Sequence, residues 1–489
     1  MDEVHFTDTT IRDGPQSLWA IGMRTDMILP VAATLDQAGF AAIEVFANSF
    51  AKKMCRELRE NFWDRIDLVR QRVKNTPLRV IRNRYLTAFQ ITPDALEELW
   101  YRRMAAHGID QVRVSDPSNT ATGWERHIGF ARKVGIDPIV NLIFTISPKH
   151  TDEYYARKAR ELAGLDVFRI CIKDPASLLT PERTRTLVPA ILRNVNGITV
   201  ELHTHCHSGL GPLCYLEAIK LGIRYVDTAI PPLADGSSNP SLFNVVRNAR
   251  ALGYSSKIDV EQLKPVAQHF TKIAEEEGLA VGAPAAYDHY QFVHQVPGGM
   301  ISNLKHQLST VGLADSLEEV LEETGRVRAE LGYPIMVTPY SQFVGVQATM
   351  NVISGERYKQ IPDEVIQFAL GLWGDEESSS MDPNVRDRIL SSWRAKELAR
   401  WQPHQVSLQE LRKKYAGADA CDDDLLLCFW AGADQVAAMR AEGPFKRPVA
   451  GQQNLLNLID EVSKRKTLTY FNVKKAGASL TLRSGRNKA

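Results

Sequence analysis

EYYARKARELAGLDVFRICIKD, residues 153–174, decides the fold. Its first half carries apolar side chains at helical spacing and stops at Gly164, where a helix C-cap belongs. Its second half is a short apolar and β-branched run that ends on the polar pair Lys173-Asp174. The same unit recurs through the first half of the chain. Strand-like runs fall at 4–10, 41–47, 78–84, 111–117, 138–144, 167–174, 198–205 and 225–230, with helical stretches such as 27–39, 95–108, 125–135 and 211–222 between them. Eight such strands at this length predict a (β/α)₈ TIM barrel rather than an open doubly wound sheet. No GxGxxG follows the first strand, which also disfavours the open sheet.

After about residue 275 the rhythm turns helix-rich, at 316–332, 363–374, 385–401 and 408–417. The expected organisation is an α/β chain with a barrel over 1–275, a mostly helical domain packed on it over 276–415, and an extension over 416–489. Residues 464–489 read as a two-strand ribbon with a Lys-Lys-Ala-Gly turn and a basic end.

The 489 residues are 44% hydrophobic and 24% charged, and 59 basic residues balance 58 acidic ones. A formal charge of +1 gives no global attraction to nucleic acid or to an acidic membrane, so the expected partner is a small molecule. Six scattered cysteines have neither zinc-ribbon nor disulfide-framework spacing, which points to a reducing compartment. The start MDEVHF lacks the basic and apolar regions of a secretory signal, and LLLCFWAGA at 425–433 is too short to span a bilayer; a cytoplasmic location is expected.

Catalytic side chains of such barrels sit at the carboxyl ends of the strands. There the first strand ends in Asp8, the sixth in Lys173, and the seventh in His203 and His205, two apart and so on one side of the strand. Two imidazoles and a carboxylate are a reasonable first shell for Zn²⁺ or Mn²⁺. On spacing alone the histidines read equally as hydrogen-bonded barrel residues. Lys173 either pairs with an acid such as Asp174 or is held neutral by desolvation. In the second case it can add CO₂ and become a carbamate, a carboxylate-type metal ligand. After the eighth strand, IPPLADGSSNPS (230–241) offers Ser237 or Ser238 as a proton shuttle, although its composition is also that of a plain turn.

Six blocks together carry a family resemblance: DTTIRDGPQS (8–17), ICIKDPASLLTP (170–181), LHTHCHSG (202–209), DTAIPPLADGSSNPS (227–241), HQVPGGMISNL (294–304) and VTPYSQFVGVQATMNVISGERYK (337–359). Over nearly its whole length the chain resembles the carboxyltransferases of biotin-dependent enzymes: the oxaloacetate decarboxylase α subunit, the carboxyltransferase part of pyruvate carboxylase and the transcarboxylase core subunit. The resemblance implies a Zn, Mn or Co ion held by Asp8, His203, His205 and an N-carboxylated Lys173, with Gln16 and Arg82 contacting substrate. Arg82 would grip the carboxylate of a 2-oxo acid such as pyruvate or oxaloacetate. Ser237 stands where the family has a catalytic threonine and would relay a proton. Arg12 and Asp13 would brace the loop through an ion pair.

The chain departs from the pyruvate-specific pattern at Ala51, Phe89, Tyr85, Phe46-Ala47 and Cys206, which implies a reshaped, more apolar acceptor pocket. It lacks the Ala-Met-Lys-Met signature of a biotinylated domain, so biotin is expected on a separate biotin carboxyl carrier protein, with biotin carboxylase or decarboxylase partner subunits. A homodimer is what the likeness implies. Two alternatives stay open: a metal-dependent lyase or Claisen-type condensing enzyme on the same barrel, which needs no lysine carbamate, and a non-catalytic scaffold subunit.

Overall fold

In the computed structural model, residues 2–87, 90–289, 291–292, 295, 308, 316–400 and 406–443 are described, with the backbone of 470–475 and 478–483. Contacts divide the chain into two units, 1–442 and 443–489. In the first unit the expected barrel closes: β1 (His5–Asp8), β2 (Ala42–Ala47), β3 (Leu78–Asn83), β4 (Gln111–Ser115), β5 (Asp137–Ile143), β6 (Arg169–Asp174), β7 (Val200–Thr204) and β8 (Tyr225–Thr228) pair in sequence order, and β8 returns to β1. All pairings are parallel, so every strand ends at the same mouth. The helix predicted over 27–39 is instead two short ones, Thr25–Ile28 and Ala32–Gln37. Pro30 lies between them and has no amide hydrogen to donate to the preceding turn.

Five helices position the site: α1 (Asp13–Leu18), α2 (Asp94–Ala106), α3 (Asp152–Ala163), α4 (Leu317–Glu330) and α5 (Tyr340–Ser354). Helix α1 follows β1 directly at the mouth, whereas α2 and α3 belong to the outer ring. The helical part has its own apolar cluster, with Val327, Leu331, Tyr340, Phe343, Phe368 and Trp373 buried together. Tyr85, from the loop after β3, belongs to the same cluster, so the helices share a core with the mouth of the barrel.

Register decides which side chains face the interior. Lys173 is level with His203, and Cys171 with Glu201. On the same face, alternation places Asn141 on β5, Arg113 on β4, Arg79 on β3, and Thr7 level with Asp227. The interior is therefore charged rather than aliphatic. Arg79 pairs with Glu201 at 3.0 Å, and Arg113 contacts Glu44 at 2.8 Å, Asp227 at 3.0 Å and also Glu201. Burying these ions is tolerable because each guanidinium meets carboxylates.

The terminal ribbon is present as β9 (Tyr470–Lys475) and β10 (Ala478–Arg483), antiparallel, with Ala478 opposite Lys475. No helix among the described residues is long and apolar enough to cross a membrane.

Candidate metal centre at the barrel mouth

Among the described residues, Asp13, His203 and His205 bring one ligand atom each to within 4.8 Å of one another. The hydrogen bonds fix the tautomers. His205 Nδ1 lies 2.7 Å from the carbonyl oxygen of Ser237, which can only accept, so Nδ1 carries the proton. His203 Nδ1 likewise donates to Asp227 Oδ2 at 2.7 Å. The two Nε2 atoms are then unprotonated and 3.1 Å apart, Asp13 stands 3.5 Å from that of His203 and 3.4 Å from that of His205, and the Asn239 amide nitrogen lies 3.3 Å from that of His203. Three electron-rich atoms facing one another invite a cation, and histidine held from behind by a carboxylate or carbonyl is the usual support of a metal ligand.

Charge reinforces this donor set. Burial works to raise the Asp13 pKa, but the Arg12 guanidinium beside it holds the carboxyl well below its ordinary range. His203 is held well below its ordinary value by burial and then by Lys173, so its ring stays neutral. Behind the cluster a closed circuit runs through six buried side chains. Asp13 meets Arg12 at 2.8 Å, Arg12 Nε donates to Glu44 at 2.7 Å, Glu44 meets Arg113 at 2.8 Å, and Arg113 donates to Asp227 at 3.0 Å. Asp227 then holds His203, which returns to Asp13. The ion pair expected between Arg12 and Asp13 is thus one link of a ring that crosses the barrel.

Asp8 is not in the cluster. Its strand neighbour Thr7 is level with inward-facing Asp227, so Asp8 points to the opposite side, where Thr10 donates to its carboxylate from backbone and hydroxyl. Burial pushes its pKa up to about 7. Asp13 occupies the place expected of Asp8, delivered by the first turn of α1 rather than by the strand end. The approach needs Gly14: a Cβ there would lie 2.8 Å from the Leu233 Cβ in the loop after β8.

Lys173 faces the interior level with His203. It does not pair with Asp174, whose carboxylate accepts from Leu178 N at 2.8 Å, Leu179 N at 2.9 Å and the Thr204 hydroxyl at 2.7 Å. Among the described residues no carboxylate lies in ion-pair range of Lys173, which is 7% exposed; burial and then Arg12 lower its pKa. Arg82 also departs from expectation. It sits between inward-facing Ile81 and Asn83, points outward, pairs with Glu97 of α2 and lies over Trp100 at 5.4 Å. The interior position beside it is Asn83.

Ser237 donates its hydroxyl to Ser17 O at 2.9 Å and lends its carbonyl to His205, so it stands beside the cluster. The exposed Gln16 accepts from Arg12 Nη1 at 3.1 Å. Ala51 is buried at the start of a short helix after β2, and Cys206 is buried with its pKa raised by burial. Tyr85 sends its hydroxyl to Leu372 O at 3.4 Å, and Phe46 stacks on Phe62 at 4.7 Å. Phe89 and Pro297-Gly298-Gly299 lie outside the described residues. Sequence reasoning missed Asp13 as a ligand candidate and Asp227 and Arg113 as its supports; the Arg-Asp pair in the first block was the available signal.

Two family profiles match the chain, a conserved carboxylase domain over 292–432 and an HMGL-like domain over 105–269. A pyruvate carboxylase subunit of Methanocaldococcus jannaschii is 38% identical over 79% of this chain and 68% of its own length. The methylmalonyl-CoA carboxyltransferase 5S subunit of Propionibacterium freudenreichii subsp. shermanii is 30% identical over 90% of this chain and 89% of its own. The chain belongs to the biotin-dependent carboxyltransferase family. Another member, the 2-oxoglutarate carboxylase large subunit of Hydrogenobacter thermophilus, is 31% identical over 87% of this chain and 66% of its own length. The carboxyl transferase domain of Rhizobium etli pyruvate carboxylase has the same fold, with a TM-score of 0.81 over 90% of this chain and 78% of that one at 24% identity.

Proposed function

We propose that this chain is the carboxyltransferase subunit of a multi-subunit biotin-dependent enzyme. In this reading it moves a carboxyl group between carboxybiotin on a separate carrier protein and a small acceptor, a 2-oxo acid or related carbonyl compound. Residues 1–275 serve as the catalytic barrel and the following helices as its cover. The observation that carries the reading is Lys173: a buried amine without an acid partner among the described residues, level with His203 of the Asp13–His203–His205 cluster. A lyase on this barrel has no use for such an amine, whereas an N-carboxylated lysine completes a four-ligand set.

Asp13, His203, His205 and carboxylated Lys173 would hold Zn, Mn or Co, which supplies Lewis-acid stabilisation of a developing enolate. The protein's own residues do the rest. Arg12 and Asp227 hold Asp13 and His203 in place. Ser237, beside His205, takes a proton from the acceptor's methyl carbon and passes it to the biotin ring nitrogen as CO₂ is transferred. Burial of the mouth excludes the water that would otherwise hydrate CO₂. Gln16 orients the acceptor at the exposed rim.

The test is acceptor-dependent loss of labelled carboxyl from free carboxybiotin, run on the wild type, Lys173→Ala and Ser237→Ala. Turnover with a 2-oxo acid that falls at least ~100-fold in both variants supports the reading. Inertness toward every 2-oxo acid, with carboxybiotin-independent cleavage of an acyl-CoA, overturns it in favour of a lyase.

A further inference from the structure

The circuit behind the cluster does not include Asn239, a fully buried side chain in the loop after β8. Its backbone is fixed on three sides. The Asn239 carbonyl accepts from Asp235 N at 2.8 Å, and the carbonyls before and after it, of Ser238 and Pro240, accept from Cys206 N at 3.1 Å and Ala229 N at 3.2 Å. The side-chain amide then joins the ends of β1 and β7. Its Oδ1 accepts from the Thr9 hydroxyl at 2.8 Å, and its Nδ2 donates to Thr204 O at 2.9 Å and lies 3.3 Å from His203 Nε2. The Thr204 carbonyl can only accept, so the nitrogen end must face β7 and the amide cannot be turned over. One N–H serves Thr204 and the other serves His203.

The tautomer gives the second bond its meaning. His203 Nδ1 donates to Asp227, so Nε2 carries no hydrogen and has a single lone pair. An amide N–H and a metal ion compete for that lone pair. Deep in the barrel an unpaired acceptor is costly, and Asn239 removes the cost while no ion is bound. Asp13 and His205 bring only acceptor atoms to the same point and cannot do this.

We propose that Asn239 is a positioning residue that holds the His203 lone pair in the metal-free chain and yields it to the incoming ion. Its bonds to Thr204 and Thr9 do not involve a ligand atom, so only one of its contacts is exchanged. The proposal rests on reading the cluster as a metal centre. Its consequence is opposite to that of ordinary support. Asp227 orients His203 from behind whether or not an ion is present, whereas the Asn239 bond belongs to the metal-free chain alone and therefore opposes binding.

Chelator competition for Zn²⁺ on the full chain, wild type against Asn239→Leu, tests this. Leucine fills the place of the amide without a donor. The variant should bind Zn²⁺ about 3- to 10-fold more tightly than the wild type, the worth of one net hydrogen bond. The visible spectrum of the Co²⁺-loaded variant should match that of the wild type, because Asp13, His203 and His205 are untouched. Asn239→Ala removes the donor without adding bulk and should tighten binding about 2- to 5-fold, which keeps the proposal testable if Asn239→Leu does not fold. A merely structural asparagine gives the other sign: affinity that is unchanged or weaker in a folded variant overturns the role of Asn239 and leaves the metal centre standing. A wild type that takes up neither Zn²⁺ nor Co²⁺ overturns the metal-centre reading and this proposal with it.

Discussion

The two walls of the barrel mouth are built by opposite rules. On the wall of β6, β7, β8 and α1, the inward groups Lys173, His203, Asp227 and Asp13 are ionisable, and all but the lysine are locked to one another within the chain. On the wall of β3, β4 and β5, the inward arginines Arg79 and Arg113 lie earlier along their strands and are paired; Asn83 and Ser115 at the strand ends and Asn141 on β5 are neutral, and among the described residues neither amide atom of Asn141 has a partner. The charges those strands carry near the mouth, Arg82 and Arg84, are already paired with Glu97 and Asp116. One wall is finished as a metal cradle; the other leaves hydrogen-bonding capacity for something that arrives.

The sharpest way to break this contrast is to exchange the two aspartates around β1. Asp13→Asn should reduce affinity for Zn²⁺ or Co²⁺ by about 10³-fold, while Asp8→Asn retains a full equivalent; metal analysis after dialysis reads both. Equal metal loss in the two variants would restore Asp8 as a ligand.

Next in size, Arg82→Ala should cost about 3–5 kcal/mol in urea unfolding because it leaves Glu97 buried and uncompensated. Pyruvate affinity of the folded variant should not change, and a selective loss would return Arg82 to the acceptor site.

Asp8 itself gives a pH signature. Its folded pKa of about 7 lies above the ordinary 3.8, so its contribution to stability is complete below about 3.8 and is lost as pH rises through 7. Wild-type stability relative to Asp8→Asn should fall by up to about 4 kcal/mol between pH 4 and 8. A difference that does not vary with pH would mean that the carboxyl is not held protonated.

The smallest effect is expected behind the cradle. Asp227→Asn should weaken metal binding by about 10–100-fold, measured by chelator competition, without abolishing it. An unchanged affinity would reduce the His203–Asp227 link to packing.

The barrel was legible because each strand-helix unit carries its own signal: a β-branched run, a helical stretch and a Gly stop, as at 153–174. Lys173, His203 and His205 were legible for the same reason, since two-residue spacing within one strand needs no knowledge of its neighbours. The side to which Asp8 and Arg82 face was not legible, because facing depends on pairing between strands. A shift of one residue exchanges interior for exterior, and nothing within HFTD or LRVIRN says which parity the closed barrel selects. Asp13 was hidden by lying in a helical turn rather than at a strand end, and Gly14, which admits it, reads locally as an ordinary turn residue.

The circuit from Asp13 through Arg12, Glu44, Arg113, Asp227 and His203 has a consequence for biogenesis. Its members come from the start, the middle and the end of the barrel sequence and meet only when β8 docks on β1. A nascent or half-closed chain therefore cannot bring Asp13, His203 and His205 together, and the intact cluster reports completed closure.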